Sequence, residues 1–569
     1  MPSDSPSLSS ESHFRGGGFD AFLRRGSILA QGFETEEFVG RPFIGIVSNW
    51  SELSRCHGHF RELADSVKRG VWQAGGFPRE IPTMPVAADL AIPTGISFMH
   101  RNLLAMEIEE ICRTYPIDGL VLIGSCDETI PAMLMAAASV NLPSIVLPGG
   151  PGINGRWRGC TVGSSTDCHR IFADIRAGQV SQEEELELSA SIDRSYGHCT
   201  TMGTASTMAC LAESLGLAFP GSAAIPAVDS RRRALAQRVG RQIVSMTEAG
   251  GPLPRDMLSD KAFYNAVTVL GSIAGSTNAI MHLLALARRC NVSLTLKDID
   301  LVLREVPTLV DVKPTGSALM EDFFFAGGIP ALLGRLKDSL HGDALTVSGQ
   351  TIQQIADNSG VSDDRVIRPL DDPVYPGGAL VALFGNLAPD GAVLKTSSAS
   401  PGLLTHTGRA HVFESRQDLD SRIDDPVNDI QPEDVLILRN AGPKGAPGMP
   451  EWGTIPIPAR LLRKGIRDMV RISDSRMSGT AFGTVILHVS PEAVVGGPLA
   501  LVENGDHVAL DVPRRRLDLQ VSAEELAVRK SRYVPPRTRE LTGYPLLFSR
   551  YVTQANEGCD FDFSRHEGC

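Results

Sequence analysis

The chain has 569 residues, 42% of them apolar and 21% charged, with a formal net charge of −12. That length exceeds a single hydrophobic core, so two domains are expected. The acidic balance excludes the basic face that a nucleic-acid binder needs, and the triplets at 231–233 and 514–516 read as solvated faces or anion contacts. No apolar run reaches the roughly 18–20 residues of a membrane span. The polar, Ser-rich start has no signal-peptide core, and ten cysteines without scaffold spacing point to a reducing, cytoplasmic compartment.

In chain order, residues 1–18 read as a flexible arm. Residues 42–50 form a strand entering a loop, with Cys56 at the junction before a helix. That helix, over 59–73, is marked by Phe60, Leu63, Ala64, Val67 and Val71 at helical spacing. Residues 81–89 lead to a helix over about 98–110. The run 117–123 reads as a buried strand and 133–139 as an Ala-rich helix, with Pro131 acceptable in its first turn. Another buried strand over 142–151 ends in a Gly/Pro turn. A helix follows Cys199, runs through Leu215 and stops at Gly216. This alternation implies a parallel sheet covered on both faces, and 232–360 reads as largely helical. Near residue 371 the composition shifts to short β-rich runs (379–384, 392–394, 434–438, 507–510, 517–521) that suit a compact β-barrel or sandwich. The expected fold is thus α/β: a parallel-sheet domain over 19–370 and a β-barrel-like domain over 371–569.

Between the strand at 117–123 and its helix stand Cys126, Asp127 and Glu128. In open α/β sheets ligands bind at this edge, and a helix N-terminus favours a thiolate over a thiol. A soft sulfur beside hard oxygens suggests two kinds of metal. Cys56, Cys126 and Cys199 each lie where a strand-like run gives way to a helix, so a sheet edge could gather them on one cluster; spacing alone favours three unrelated core cysteines. Asp127 and Glu128 suit Mg²⁺, or one of them caps the helix. Asp89 and Glu451 are further oxygen candidates from separate loops. Ser478, beside Gly479, can present its hydroxyl to a ligand, although Ser-Gly-Thr is also an ordinary turn.

These residues sit in longer motifs: residues 49–53 before Cys56, then 124–132, 199–217, 440–451, 474–483, and 488–493 with 496–502. In this order they resemble the dihydroxy-acid and sugar-acid dehydratases, an iron–sulfur family that includes phosphogluconate dehydratase. The resemblance implies dehydration of a 2,3-dihydroxy acid to a 2-keto-3-deoxy acid. It implies a 2Fe–2S cluster (4Fe–4S being the alternative) on Cys56, Cys126 and Cys199. It further implies Mg²⁺, or Mn²⁺, near Asp89, Asp127, Glu128 and Glu451, with Ser478 as the alkoxide that takes the C2 proton and Thr480 orienting it. Two positions depart from the family pattern: Glu128 stands where the family usually has a lysine, carbamylated in some members, and Asp89 where it usually has glutamate. The wording of 101–103, 440–442 and 473–481 is similar to the sugar-acid branch, which implies a small aldonate substrate and a homodimer or homotetramer. The alternatives are the branched-chain biosynthetic dehydratase and a non-catalytic homologue with an altered metal site.

Overall fold

A computed structural model describes residues 8–93, 95–536 and 540–564. Strands β1 (Phe43–Ser48), β2 (Phe77–Pro82), β3 (Gly119–Gly124) and β4 (Ser144–Pro148) form a sheet in the order β2-β1-β3-β4. All neighbours in it are parallel. β1, β3 and β4 are buried at every position, which is why they read as continuous apolar runs without alternation. The crossovers are the helices Phe60–Gln73, Phe98–Thr114 and Thr129–Val140. The first buries the Phe60, Leu63, Ala64, Val67 and Val71 stripe. The third is buried from Thr129 through Ala138, as a helix that is apolar all round must be.

A small hairpin of β5 (Gly155–Trp157) and β6 (Cys160–Val162) follows, and then mostly helices from Thr166 to Asp357. The second sheet holds β7 (Val381–Leu383), β8 (Gly391–Leu394), β9 (Thr405–Phe413), β10 (Val435–Leu438), β11 (Arg471–Ser473), β12 (Val485–Ser490), β13 (His507–Asp511) and β14 (Arg516–Leu519). Its order is β14-β13-β9-β10-β11-β12-β8-β7. The two edges nearly close: the Phe384 N–H donates to the Arg515 carbonyl (2.9 Å), and the Leu517 N–H donates to the Phe384 carbonyl (3.0 Å). The sheet is therefore barrel-like, and its middle strands β9, β10, β11 and β12 run parallel. Alternation along β12 sends Ile486 into the barrel core, while Val485 and Leu487 join the core of the first domain.

Three expectations change. The arm is not flexible to residue 18: Ser9–Phe14 is helical, and buried Phe14 packs its ring on Phe38 (5.3 Å) and Phe43 (6.0 Å); residues 1–7 lie outside the described residues. Cys199 follows no strand, only an isolated bridge between Pro151 and His198. The helix after Phe98 continues to Thr114. The chain finally returns to the first domain, where Arg101 and Asn102 donate to the Cys559 carbonyl (2.8 and 2.9 Å) and Arg289 pairs with Asp560 (2.8 Å), both side chains buried. Among the described residues no helix is long and apolar enough to cross a membrane.

Candidate functional site

Both parallel arrays aim their C-terminal edges at one place, the edge that binds ligands in such sheets. The segment after β1 carries Cys56, that after β2 Asp89, and that after β3 Cys126, Asp127 and Glu128. From the second sheet, the segment after β10 carries Glu451 and that after β11 carries Ser478 and Thr480. Direct bonds lock the edges together: Thr166 Oγ1 donates to the Thr480 carbonyl (2.9 Å), and Asn278 Nδ2 donates to the Met477 carbonyl (3.0 Å).

Cys56 and Cys126 are buried and within hydrogen-bonding reach of each other, and Cys199 lies within electrostatic reach of Cys56. The Ala88 N–H donates to Cys126 Sγ (3.4 Å), and Ser165 Oγ lies 3.0 Å from Cys199 Sγ. The surroundings of Cys126 act against the pull of the helix end. The contact with Cys56, then burial, then the Asp127 and Glu128 charges push that thiol well above its usual range. A fractional helix-end charge does not outweigh those effects. Burial likewise pushes Cys199 up to about 12, against the pull of Arg55.

Two of the carboxylates meet on one cation. Arg476 Nη2 pairs with Glu128 Oε1 (3.1 Å) and Nη1 with Glu451 Oε1 (3.0 Å), and Nε donates to the Met449 carbonyl (2.9 Å). Asp127 Oδ1 accepts from the Ala205 N–H (3.1 Å); Asp89 Oδ2 accepts from the Ser54 hydroxyl (3.1 Å) and the Arg55 N–H (3.0 Å). Burial raises Glu128 to about 8 and Glu451 to about 7 although Arg476 acts to lower both, and burial raises Asp127 too. Sequence reading missed the part Arg476 plays, because an arginine in a loop carries no sign of a partner more than three hundred residues away. Gly95 makes room for it. With φ at +80°, a Cβ there would sit 2.5 Å from Glu451 Cγ and 2.9 Å from Arg476 Nη2.

Ser478 Oγ lies 2.7 Å from Thr480 Oγ1 and accepts the Thr480 N–H (3.4 Å). Asp474 ties this loop to its neighbours, accepting N–H bonds from Ala441 (3.0 Å) and Ala493 (2.9 Å). Ser478 and Glu451 both line a cavity of about 800 Å³ that opens between the two sheets.

Whether these residues suit an iron–sulfur group and a divalent ion can be judged from their surroundings. Buried polar atoms without a hydrogen-bond partner among the described residues flank all three thiols: Asn49 at the end of β1, both ring nitrogens of His57, Ser125 Oγ and His198 Nε2. A buried layer with so many unpaired groups, beside three sulfurs, suits a polar sulfur-ligated group. Glu128 Oε2 is also unpaired, and Glu128 and Glu451 share one arginine with Asp127 near the same cation, a surplus that suits a divalent cation. Among the described residues no three His, Cys, Asp or Glu side chains close around a single ion. Glu128 and Glu451 meet on Arg476 instead, and Asp89 is turned to the Cys56 loop.

The dihydroxy-acid/6-phosphogluconate dehydratase N-terminal model matches residues 41–355, and the C-terminal model of the same family matches residues 365–559. The chain belongs to this dehydratase family. It is similar to an L-arabinonate dehydratase of Rhizobium leguminosarum bv. trifolii, 49% identical over 99% of this chain and 96% of the relative. It is also similar to a 6-deoxy-6-sulfo-D-gluconate dehydratase of Pseudomonas putida, 46% identical over 95% of this chain and 94% of that relative. A dihydroxy-acid dehydratase of Pyrococcus abyssi matches at 40%, over 93% and 95%. Family membership makes the chain a hydro-lyase, with the Ser478 loop and the Cys126 turn inside the two matched halves.

Proposed function

We propose that this dehydratase is iron–sulfur-dependent and removes water from an aldonate, converting its 2,3-diol to a 2-keto-3-deoxy acid. The observation that carries the reading is Ser478: its oxygen accepts the Thr480 N–H and lies 2.7 Å from the Thr480 hydroxyl, in the cavity that Glu451 shares. The higher identity to dehydratases named for sugar acids than to those named for dihydroxy acids supports the substrate class. Cys56, Cys126 and Cys199 would hold the cluster, and Asp127, Glu128 and Glu451, with Asp89 nearby, the divalent ion. When bound, these groups supply Lewis acidity toward the 3-hydroxyl and toward the 2-hydroxyl and carboxylate.

Ser478 as alkoxide takes the C2 proton, and the C2 electron pair forms the C2–C3 double bond as the C3–O bond breaks; the departing hydroxide takes that proton back from Ser478 and leaves as water, which restores the alkoxide. The enol then becomes the ketone as C3 gains a proton. An α-proton beside a carboxylate is weakly acidic, so a fixed base with donors already aimed at its oxygen matters. The Thr480 N–H and hydroxyl are those donors.

The test is anaerobic reconstitution with iron and sulfide, an absorption spectrum with iron and sulfide analysis, and a keto-acid assay with and without Mg²⁺. Pentonates and hexonates are compared with 2,3-dihydroxyisovalerate. Turnover of an aldonate by the cluster-loaded protein is expected; faster turnover of the branched-chain acid would assign it to the other branch, and a loaded but inert protein would make it a non-catalytic homologue.

A further inference from the structure

The helix Thr166–Arg176 forms one wall of the cavity that holds Ser478. His169, Phe172, Ala173 and Arg176 face that cavity, at the spacing of a single helical stripe. Both ends of the helix are pinned. Thr166 holds the Thr480 carbonyl (2.9 Å), and Arg176 donates to the Ile457 carbonyl (2.6 Å) while pairing with Asp424 (2.8 Å). The wall is thus fixed relative to Ser478.

The half-buried His169 ring lines the cavity and makes no hydrogen bond to another of the described residues. Burial, with Arg471 nearby, lowers its pKa and keeps the imidazole neutral, so it offers one donor and one acceptor. The arginines lining the cavity are each already paired: Arg176 with Asp424, Arg416 with Asp420, Arg467 with Asp174 and Arg471 with Asp468. Phe172 and Trp452 add apolar faces. A wall with a neutral donor–acceptor, apolar faces and neutralised cations matches a hydroxylated, uncharged chain better than a second anion.

Resting on the dehydratase reading above, we propose that His169 reads a hydroxyl beyond the reacting 2,3-diol, and that the site selects aldonates with an uncharged tail over those ending in phosphate or sulfonate. The experiment uses cluster-loaded wild type, His169→Ala and His169→Gln. It measures kcat and KM for L-arabinonate, for D-glycerate (which has no tail), and for gluconate against 6-phosphogluconate. The expected result is a loss of kcat/KM for L-arabinonate in His169→Ala that exceeds the loss for D-glycerate about three- to tenfold, the worth of one neutral hydrogen bond. Gln, which keeps a donor and an acceptor, recovers part of it, and wild type prefers gluconate to 6-phosphogluconate. Equal losses on the two acids, or preference for the phosphorylated acid, would overturn the inference. If wild type carries a full cluster yet turns over no acid, the dehydratase reading fails, and calorimetric titration of L-arabinonate decides separately. Weaker binding to His169→Ala than to wild type upholds the contact; equal binding, or none to wild type, refutes it.

Discussion

Arg476 Nη2 lies 3.1 Å from Glu128 Oε1, and neither side chain is more than 1% exposed. The pair crosses from the loop after β11 to the turn after β3, so it joins the two sheets at the edge where the candidate site lies. Removing the arginine would leave Glu128 and Glu451 as buried carboxylates without their cation. Arg476→Met is therefore expected to cost about 3–5 kcal/mol in urea denaturation above pH 8, where both carboxylates are ionised, and adding Glu128→Gln should recover part of that by removing one unpaired buried carboxyl. A loss under about 1 kcal/mol in the single variant would mean that solvent reaches this pair.

Ser478 and Thr480 share a short bond within one loop, and their substitutions should separate chemistry from folding. Ser478→Ala should abolish keto-acid formation without moving the denaturation midpoint. Thr480→Val removes a donor to the developing alkoxide, a charged hydrogen bond worth roughly 10- to 100-fold in kcat. It should also shift the rising limb of the pH–rate profile to higher pH, since the base becomes harder to deprotonate. Thr480→Ser should restore both readouts. A Val variant with lower kcat and an unmoved limb would assign Thr480 a packing role instead.

Gly479 packs where no side chain fits: a Cβ would come within 2.5 Å of Ser276 Oγ and 2.8 Å of the Thr204 nitrogen. The neighbour is partly backbone and cannot swing aside. Gly479→Ala should displace the Ser478 loop, and a 1 Å misplacement of a reacting group costs on the order of 100-fold. Loss of kcat with little change in the thermal midpoint is the expected pattern; full activity would show that the loop relaxes freely.

What was legible in the sequence follows from where the signals are local. β1 and β3 are apolar at nearly every position, and the Phe60–Gln73 stripe repeats over four turns, so periodicity found them. The Cys126-Asp127-Glu128 turn stood out because it sits between two such elements. The parallel order of β9 to β12 did not, since strands such as Arg471–Ser473 are too short to carry a period. The upward push on the Cys126 thiol and the placement of Arg476 depend on side chains brought in from distant segments. His169 carried no signal in the sequence, and its place beside the Ser478 loop comes only from the fold, which puts both on one cavity.

Lys395, just beyond β8, makes a pH prediction that owes nothing to a bound metal. Its side chain is 1% exposed, Nζ has no hydrogen-bond partner among the described residues, and burial alone lowers its pKa from 10.5 to about 7. Between those two values the unfolded chain binds a proton there that the folded protein does not. Stability therefore rises with pH across that window, by up to about 1.4 kcal/mol per pH unit from this group. Below pH 7 the folded protein must carry a buried ammonium without a partner, and the full penalty applies. Lys395→Met should be more stable than wild type near pH 7, and the advantage should shrink steadily as pH rises toward 10. Urea denaturation of both proteins at half-unit steps isolates the effect, because every other titrating group is common to the pair. A difference between them that stays constant with pH would mean that Lys395 remains charged in the folded protein, with water or an anion at its Nζ.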